Sequence, residues 1–365
     1  MTENDVIKAL STVEEPDFKK DLVTLNMVSD IKIENNSVSF TVILTTPACP
    51  LKDIIKGRCF KAIHSMINDE VEISINFTSR TTSLRTDKKD ILKDVKNIIA
   101  VVSGKGGVGK STVAANLALA LAAGGAKVGL MDADIYGPSV HIMFGIRGER
   151  PQMRDVNGKG KIVPINRYGI KVMSIGLLVD EKQAVVWRGP MVSSAIRQFV
   201  SDVDWGELDY LVIDMPPGTG DIHLTIVQTV PVTGAIVVTT PQLVALADAK
   251  KGITMFNQPG LKVPVIGLVE NMSYFTPKEL PDNKYYIFGK EGGKNLASEF
   301  DIPFLGEIPL VKEIREGGDI GIPVMIGDDE ISKKAFTDFG DNAIRAISMR
   351  NAQLAATEVS EVLVE

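Results

Sequence analysis

The stretch Ser103-Gly104-Lys105-Gly106-Gly107-Val108-Gly109-Lys110-Ser111 fits the G-x-x-x-x-G-K-[ST] spacing from Gly104 to Ser111. Before it, Ile98-Ile99-Ala100-Val101-Val102 is an apolar run of the kind that forms strands buried on both faces. After it, Val113, Leu117, Ala120 and Leu121 recur on one helical face, and Gly124-Gly125 ends the pattern. Strand, glycine loop and helix in that order make an anion cradle. Backbone N–H groups close around phosphate oxygens, and the helix N-terminus adds its positive end. Lys110 then reaches the β- and γ-phosphates, and Ser111 is placed to ligate Mg²⁺. The expectation is a nucleotide held by Gly104, Lys105, Gly106, Gly107, Val108, Gly109, Lys110 and Ser111. A glycine-rich turn that binds nothing would leave the flanking strand, helix and Lys-Ser pair unexplained.

Residues 127–131 read as a second strand, running into Asp132-Ala133-Asp134. In a parallel sheet, ligands gather at the carboxyl ends of strands, so both acids arrive near the nucleotide. Either one alone could equally be a turn residue ahead of Tyr136-Gly137-Pro138-Ser139. The run Leu208-Asp209-Tyr210-Leu211-Val212-Ile213-Asp214 is a Walker B pattern, an apolar strand ending in an acid that holds Mg²⁺ through water. The loop that follows, Met215-Pro216-Pro217-Gly218-Thr219-Gly220-Asp221, can respond to a γ-phosphate. Further buried strands are expected over 235–239 and 265–269, and a last helix over 331–349 with Phe336, Phe339, Ala343 and Ile347 inward. The fold class is α/β, a mostly parallel doubly wound P-loop NTPase sheet.

A second lysine in the loop, Lys105, either points into water or brings another positive charge to a phosphate. The K-G-G-x-G-K-S form resembles the deviant loop of the MinD/ParA/ArsA/nitrogenase-iron-protein class of ATPases. That resemblance implies a homodimer in which Lys105 reaches the partner's ATP, Asp134 orients the attacking water and Asp132 supports the water shell of the metal. Asn271, in Glu270-Asn271-Met272-Ser273, resembles the adenine-reading amide of that class, and Leu305-Gly306-Glu307-Ile308-Pro309-Leu310 its base-flanking loop. Trp187-Arg188-Gly189-Pro190-Met191, with Asp214-Met215-Pro216-Pro217-Gly218, narrows the likeness to the Mrp/ApbC branch of iron–sulfur cluster carrier ATPases over residues 97–327. The resemblance implies slow, Mg-dependent ATP hydrolysis and delivery of iron–sulfur clusters to client apoproteins, alongside assembly factors. One departure stands out. That branch carries a C-x-x-C after the Asn-Met-Ser-Tyr-Phe segment, whereas here Thr276-Pro277-Lys278-Glu279-Leu280-Pro281 follows.

Nearer the start, a helix is expected over 4–11, then a hairpin of strands 22–34 and 37–45 turning at Asn35-Asn36. A helix from about 51 to 67 and a strand over 71–77 complete a small αββαβ unit. With Thr45-Thr46-Pro47-Ala48-Cys49-Pro50, this unit resembles the accessory domain of iron–sulfur assembly factors. Cys49, placed at a helix N-terminus that favours a thiolate, is a candidate transient cluster ligand; its alternative is a small buried hydrophobe. Cys59 shares an apolar face with Ile55, Ala62, Ile63 and Met66 and reads as core, while His64 reads as a surface or satisfied side chain. About 15 Å of helical rise between the cysteines puts them beyond disulfide reach. The expected division is 1–80 accessory domain, 81–96 linker, 97–350 ATPase domain and 351–365 acidic tail.

A chain of 365 residues with net charge −6 is long enough for two domains and has no bulk attraction to nucleic acid or anionic membrane. Two cysteines suit a reducing compartment, and no apolar run approaches the ~18 residues of a membrane span, so a cytoplasmic protein is expected. A positioning or partition ATPase is a competing class; it calls for a basic amphipathic helix, whereas residues 356–365 are acidic. An ATP-gated client adaptor that holds no cluster is another.

Overall fold

The computed structural model describes residues 1–83, 92–156, 158–178, 189–258, 261, 263–277 and 279–355. The charged run 85–90, the motif residues Trp187 and Arg188, Lys278 and the tail 356–365 lie outside the described residues. The chain divides into two compact units, Met1–Thr82 and Ser83–Glu365.

The first unit opens on α1 (Glu3–Leu10). Thr2 caps it reciprocally: its hydroxyl accepts from Asp5 N at 3.3 Å, and its own N–H donates to the Asp5 carboxylate at 2.8 Å. A two-residue ribbon, β1 (Glu14–Glu15) with β2 (Lys20–Asp21), precedes β3 (Val28–Glu34), β4 (Ser37–Leu44), α2 (Lys52–Met66) and β5 (Glu72–Ser79). β4 is central, antiparallel to β3 and parallel to β5. Its strict alternation turns Val38, Phe40, Val42 and Leu44 inward, where Leu10, Leu22, Ile55, Cys59 and Ile63 close the core. Each such side chain contributes about 1.5–3 kcal/mol by leaving water. The expected strand 22–34 is shorter than its sequence reads. Asn26 takes φ 53° and the Asp21 carboxylate accepts from Thr24 N, so 22–27 turns before β3 begins. Asp30, at φ 52°, then offsets the β3–β4 register.

The second unit runs β6 (Val95–Val102), α3 (Lys110–Ala123), β7 (Val128–Asp132), α4 (Val140–Met143), β8 (Gln152–Val156), β9 (Lys159–Val163), β10 (Ile165–Arg167), β11 (Ile170–Ser174), α5 (Gly189–Asp202), β12 (Leu208–Asp214) and α6 (Asp221–Thr229). It continues with β13 (Gly234–Thr239), α7 (Leu243–Phe256), β14 (Val265–Glu270), α8 (Gly292–Glu299), β15 (Phe304–Glu307), α9 (Lys312–Ile320) and α10 (Glu330–Gln353). Eight strands form one sheet in the order β10-β11-β7-β12-β6-β13-β14-β15, parallel except for the edge strand β10. The register sets Asp214 beside Val101 on one side and Asp132 on the other. Two acids therefore end their strands level with the start of the phosphate loop. α3 is buried nearly all round, not along one face, because α10 covers the side turned away from the sheet; a Cβ at Gly340 would meet Ala120 at 2.8 Å. Phe336, Phe339, Ala343 and Ile347 of α10 are buried, as the helical spacing requires.

Candidate functional site

The phosphate loop is held by close packing at both of its ends. At Gly104 a Cβ would lie 2.1 Å from the Asp248 carbonyl of α7, and at Gly109, with φ 80°, 2.2 Å from Asn271 Nδ2. Glycine is required at both places for lack of room, and at Gly109 for its left-handed backbone as well. Asn271 Nδ2 donates to the Val108 carbonyl at 2.8 Å, and the Ser103 hydroxyl donates to the Lys105 carbonyl at 2.9 Å. Gly218 N, in the loop after β12, donates to Ser103 O at 2.9 Å. The switch loop is thereby tied to the phosphate loop.

Lys110 opens α3 and is only 6% exposed. Its Nζ donates to Asp214 Oδ1 and, at 3.2 Å, to Ser111 Oγ, and lies 3.9 Å from Asp134 Oδ2. Burial raises the Asp214 carboxyl above its ordinary range, against the pull of Lys110. Burial, followed by the neighbouring Asp214 charge, pushes Asp132 up to about 7. Asp214 Oδ2 is buried and, among the described residues, has no hydrogen-bond partner. Two buried carboxylates side by side, one with an orphan oxygen next to a serine hydroxyl, fit a divalent cation or its water.

Asp132 and Asp134 differ in their surroundings. Asp132 accepts from Asp134 N, Ser139 N and Val140 N at 3.1 Å each and from Ser174 Oγ at 2.9 Å, so its carboxylate shapes the loop 133–140. Asp134 accepts from Gly137 N at 3.2 Å and turns its other oxygen toward Lys110. The bonds of Asp132 are those of a turn residue, and its strand end lies beside Asp214.

A cavity of about 400 Å³ opens beside the loop, lined by Gly109, Thr112, Asn271, Pro309, Ile314 and Arg315 among others. Asn271 and Pro309 therefore meet the phosphate loop in one place, at the ends of β14 and β15. The sequence reading singled out Ile314-Arg315 after the base-flanking loop but not the helix α9 that carries them, and gave Glu270 no role. Glu270 is fully buried and accepts from Ser273 Oγ at 2.6 Å and from Gly293 N, fixing both ends of the segment 271–292. Its signal was present: an acid at the carboxyl end of an apolar strand, as at Asp132 and Asp214.

Cys49 belongs to the first unit. α2 starts at Lys52 with Leu51 as its cap, so Cys49 precedes the helix instead of occupying its first turn, and it is half-buried against the unit's core. Cys59 is fully buried, and burial pushes its thiol up to about 12. His64 Nε2 lies 3.1 Å from the Val71 carbonyl, a satisfied side chain. Among the described residues no group of three or more His, Cys, Asp or Glu is arranged to hold a metal ion.

Residues 94–344 match the family described as NUBPL iron-transfer P-loop NTPase. The chain belongs to this family. Residues 3–75 match a second family, described as iron–sulfur cluster assembly protein. The chain is 47% identical over 351 residues to an iron–sulfur cluster carrier protein of Synechocystis, covering 96% of this chain and 99% of that one. It is 50% identical over 270 residues to a mitochondrial iron–sulfur protein required for NADH dehydrogenase in Arabidopsis thaliana, with 73% and 82% covered. Among solved structures it is similar to a nucleotide-binding protein of Archaeoglobus fulgidus in complex with ADP: 41% identity, TM-score 0.57, 66% of this chain and 93% of that one. No helix among the described residues is long and apolar enough to cross a membrane.

Proposed function

We propose that this protein is a homodimeric, Mg²⁺-dependent ATPase of the cytoplasm that carries iron–sulfur clusters to client apoproteins. The observation that carries the ATPase half is the convergence of Lys110, Ser111, Asp134 and Asp214 beside a cavity lined by Asn271 and Pro309. The cluster half is supported by the names of the relatives and of both matching families.

In this reading the backbone N–H groups of the loop and Lys110 hold the β- and γ-phosphates, while Asn271, its amide nitrogen engaged by Val108, offers its oxygen to the adenine amino group. Ser111 and Asp214 would hold Mg²⁺, partly through water, with Asp132 behind them, and the ion would supply charge neutralisation to the phosphates. Asp134 accepts a hydrogen bond from the attacking water. The water oxygen bonds to the γ-phosphorus and gives up one proton to a phosphate oxygen, the β–γ bridging bond breaks, and its electron pair leaves with ADP. Lys105, half-buried in the loop, neutralises the phosphate of the facing subunit's nucleotide. Turnover requires the dimer, because this set is complete only there, and is expected to be slow.

The cluster is cargo, and Cys49 supplies one thiolate per subunit, with the remaining ligands coming from the other subunit's Cys49 and from small thiols or a client. A second reading, an adaptor that docks clients under ATP control and holds no cluster, is favoured by the segment 276–281, which contains no cysteine. Anaerobic reconstitution followed by cluster transfer to an apoprotein, with and without Mg-ATP, separates the two. Retained iron and sulfide with transfer supports the carrier; client binding without retained iron supports the adaptor.

A further inference from the structure

The switch loop between β12 and α6 contains a buried imidazole that the hydrolytic reading does not use. His223, in the first turn of α6, is 1% exposed. Its Nδ1 lies 3.3 Å from the Gly220 carbonyl, which also accepts from His223 N at 3.1 Å. In the tautomer that satisfies this contact, Nδ1 carries the ring proton and donates to the Gly220 carbonyl. Burial lowers the basicity of the ring, leaving it neutral, with Nε2 as a bare acceptor. Nε2 is buried and, among the described residues, has no hydrogen-bond partner. Pro216, at the other end of the loop, also presents to the ring; proline has no N–H, so what it presents is its carbonyl. The ring is thus bordered by acceptors from both ends of the loop 216–220 and has one proton to give.

The same ring touches the phosphate loop's support. It meets Phe256 edge-on, with ring centroids 6.5 Å apart. Phe256 ends α7, and α7 is the helix whose Asp248 carbonyl presses on Gly104. Gly218 of the switch loop donates to Ser103, which precedes Gly104. His223 therefore sits where the switch loop, α7 and the phosphate loop meet, within electrostatic range of Lys110 and Asp134.

We propose that His223 is a positioning residue that couples the switch loop to the nucleotide. Its Nδ1–H bond to Gly220 holds the loop in the arrangement seen here, and its unpartnered Nε2 gains a hydrogen bond in the second arrangement that the loop adopts around the γ-phosphate. An unpartnered buried acceptor raises the energy of the first arrangement and so keeps the two close in free energy, as a switch requires. His223 touches neither phosphate nor water in this scheme. Its effect runs through the loop.

This inference rests on the reading of the site as an ATPase, and its test has an arm that needs binding alone. With three histidines in the chain, single substitutions assign the ring ¹⁵N resonances. The Nε2 resonance of His223 is expected to move between protein saturated with Mg-ADP and protein saturated with Mg²⁺ and a non-hydrolysable ATP analogue. In the second arm, His223→Phe is expected to keep its melting temperature and ATP affinity while kcat falls about tenfold. His223→Asn, which returns an N–H near the Nδ1 position, is expected to recover part of that loss. Identical ring resonances in the two nucleotide states, or a Phe variant with wild-type kcat, overturns the proposal. So does a loss of kcat matched by equal losses of ATP affinity and melting temperature with no rescue by Asn, which marks a merely structural side chain. Wild-type protein that binds ATP and never hydrolyses it would instead overturn the ATPase reading, and the resonance arm would still decide the role of His223.

Discussion

The phosphate loop and the Cys49 segment are both short signatures, but the fold treats them differently. The loop is fastened on several sides: α7 presses on Gly104, Asn271 fills the space at Gly109 and bonds Val108, and Gly218 bonds Ser103. Cys49 is packed on one side against the core of its own unit, two residues before the cap of α2. The difference teaches how the two chemistries are divided. Phosphate chemistry is preorganised, with charges and dipoles fixed before the ligand arrives. In the proposed carrier reading, sulfur chemistry at Cys49 is completed by another molecule, as suits a cargo that must leave.

The sharpest way to break the comparison is at its stronger side. Lys110→Ala removes the cation beside Asp214 and the β- and γ-phosphates together, and calorimetry should show ATP affinity reduced by about 100-fold or more, about 3 kcal/mol. Unchanged affinity would show that the loop is not the nucleotide site. Next in size is Gly109→Ala, which sets a Cβ against Asn271 at a left-handed backbone position. A cost of about 1–3 kcal/mol in unfolding free energy is expected, with turnover lost more completely than stability. A fully active variant would mean that the loop yields, contrary to its tight packing.

Mixing Lys105→Ala subunits with Asp134→Ala subunits sharpens the comparison further. A mixed dimer has one site with its own Asp134 and the partner's Lys105, so ATPase activity absent from either variant alone should return on mixing. Mixed dimers, confirmed by mass, that stay inactive would confine Lys105 to its own subunit.

The smallest expected effect concerns the other cysteine. Burial raises the Cys59 thiol from near 9 to about 12, so in that window the unfolded chain releases a proton that the folded chain keeps. Stability is therefore unaffected below about pH 9 and falls as pH rises from there toward 12. Urea midpoints at about pH 8 and pH 10 should show this fall for wild type and a shallower one for Cys59→Ala; equal slopes would contradict it.

Much of the second unit was legible because β6, β12, β13 and β14 are buried on both faces and read as unbroken apolar runs. The acids ending β7 and β12 were legible for the complementary reason, since charge at the end of such a run has to be used. β8 was missed because Gln152, Met153, Arg154 and Asp155 are all exposed, and no period marks a ribbon without a core face. α9 was missed because none of its residues is buried, although it walls the cavity. Asn271 was found by resemblance, but its bond to Val108 joins residues 163 positions apart, and no local pattern encodes that. Leu22 belongs to a core while its neighbours turn, so an apolar alternation there mimicked a strand.

The claim that sulfur chemistry here depends on Cys49 and on ligands from outside the subunit is tested most directly by anaerobic reconstitution. Wild type, Cys49→Ser and Cys59→Ser are loaded with iron and sulfide, and the visible cluster absorption is measured with bound iron and sulfide. A weak, readily transferred band in wild type and Cys59→Ser that disappears in Cys49→Ser is the predicted result. A band that survives in Cys49→Ser, or no bound iron and sulfide in any of the three, would contradict it.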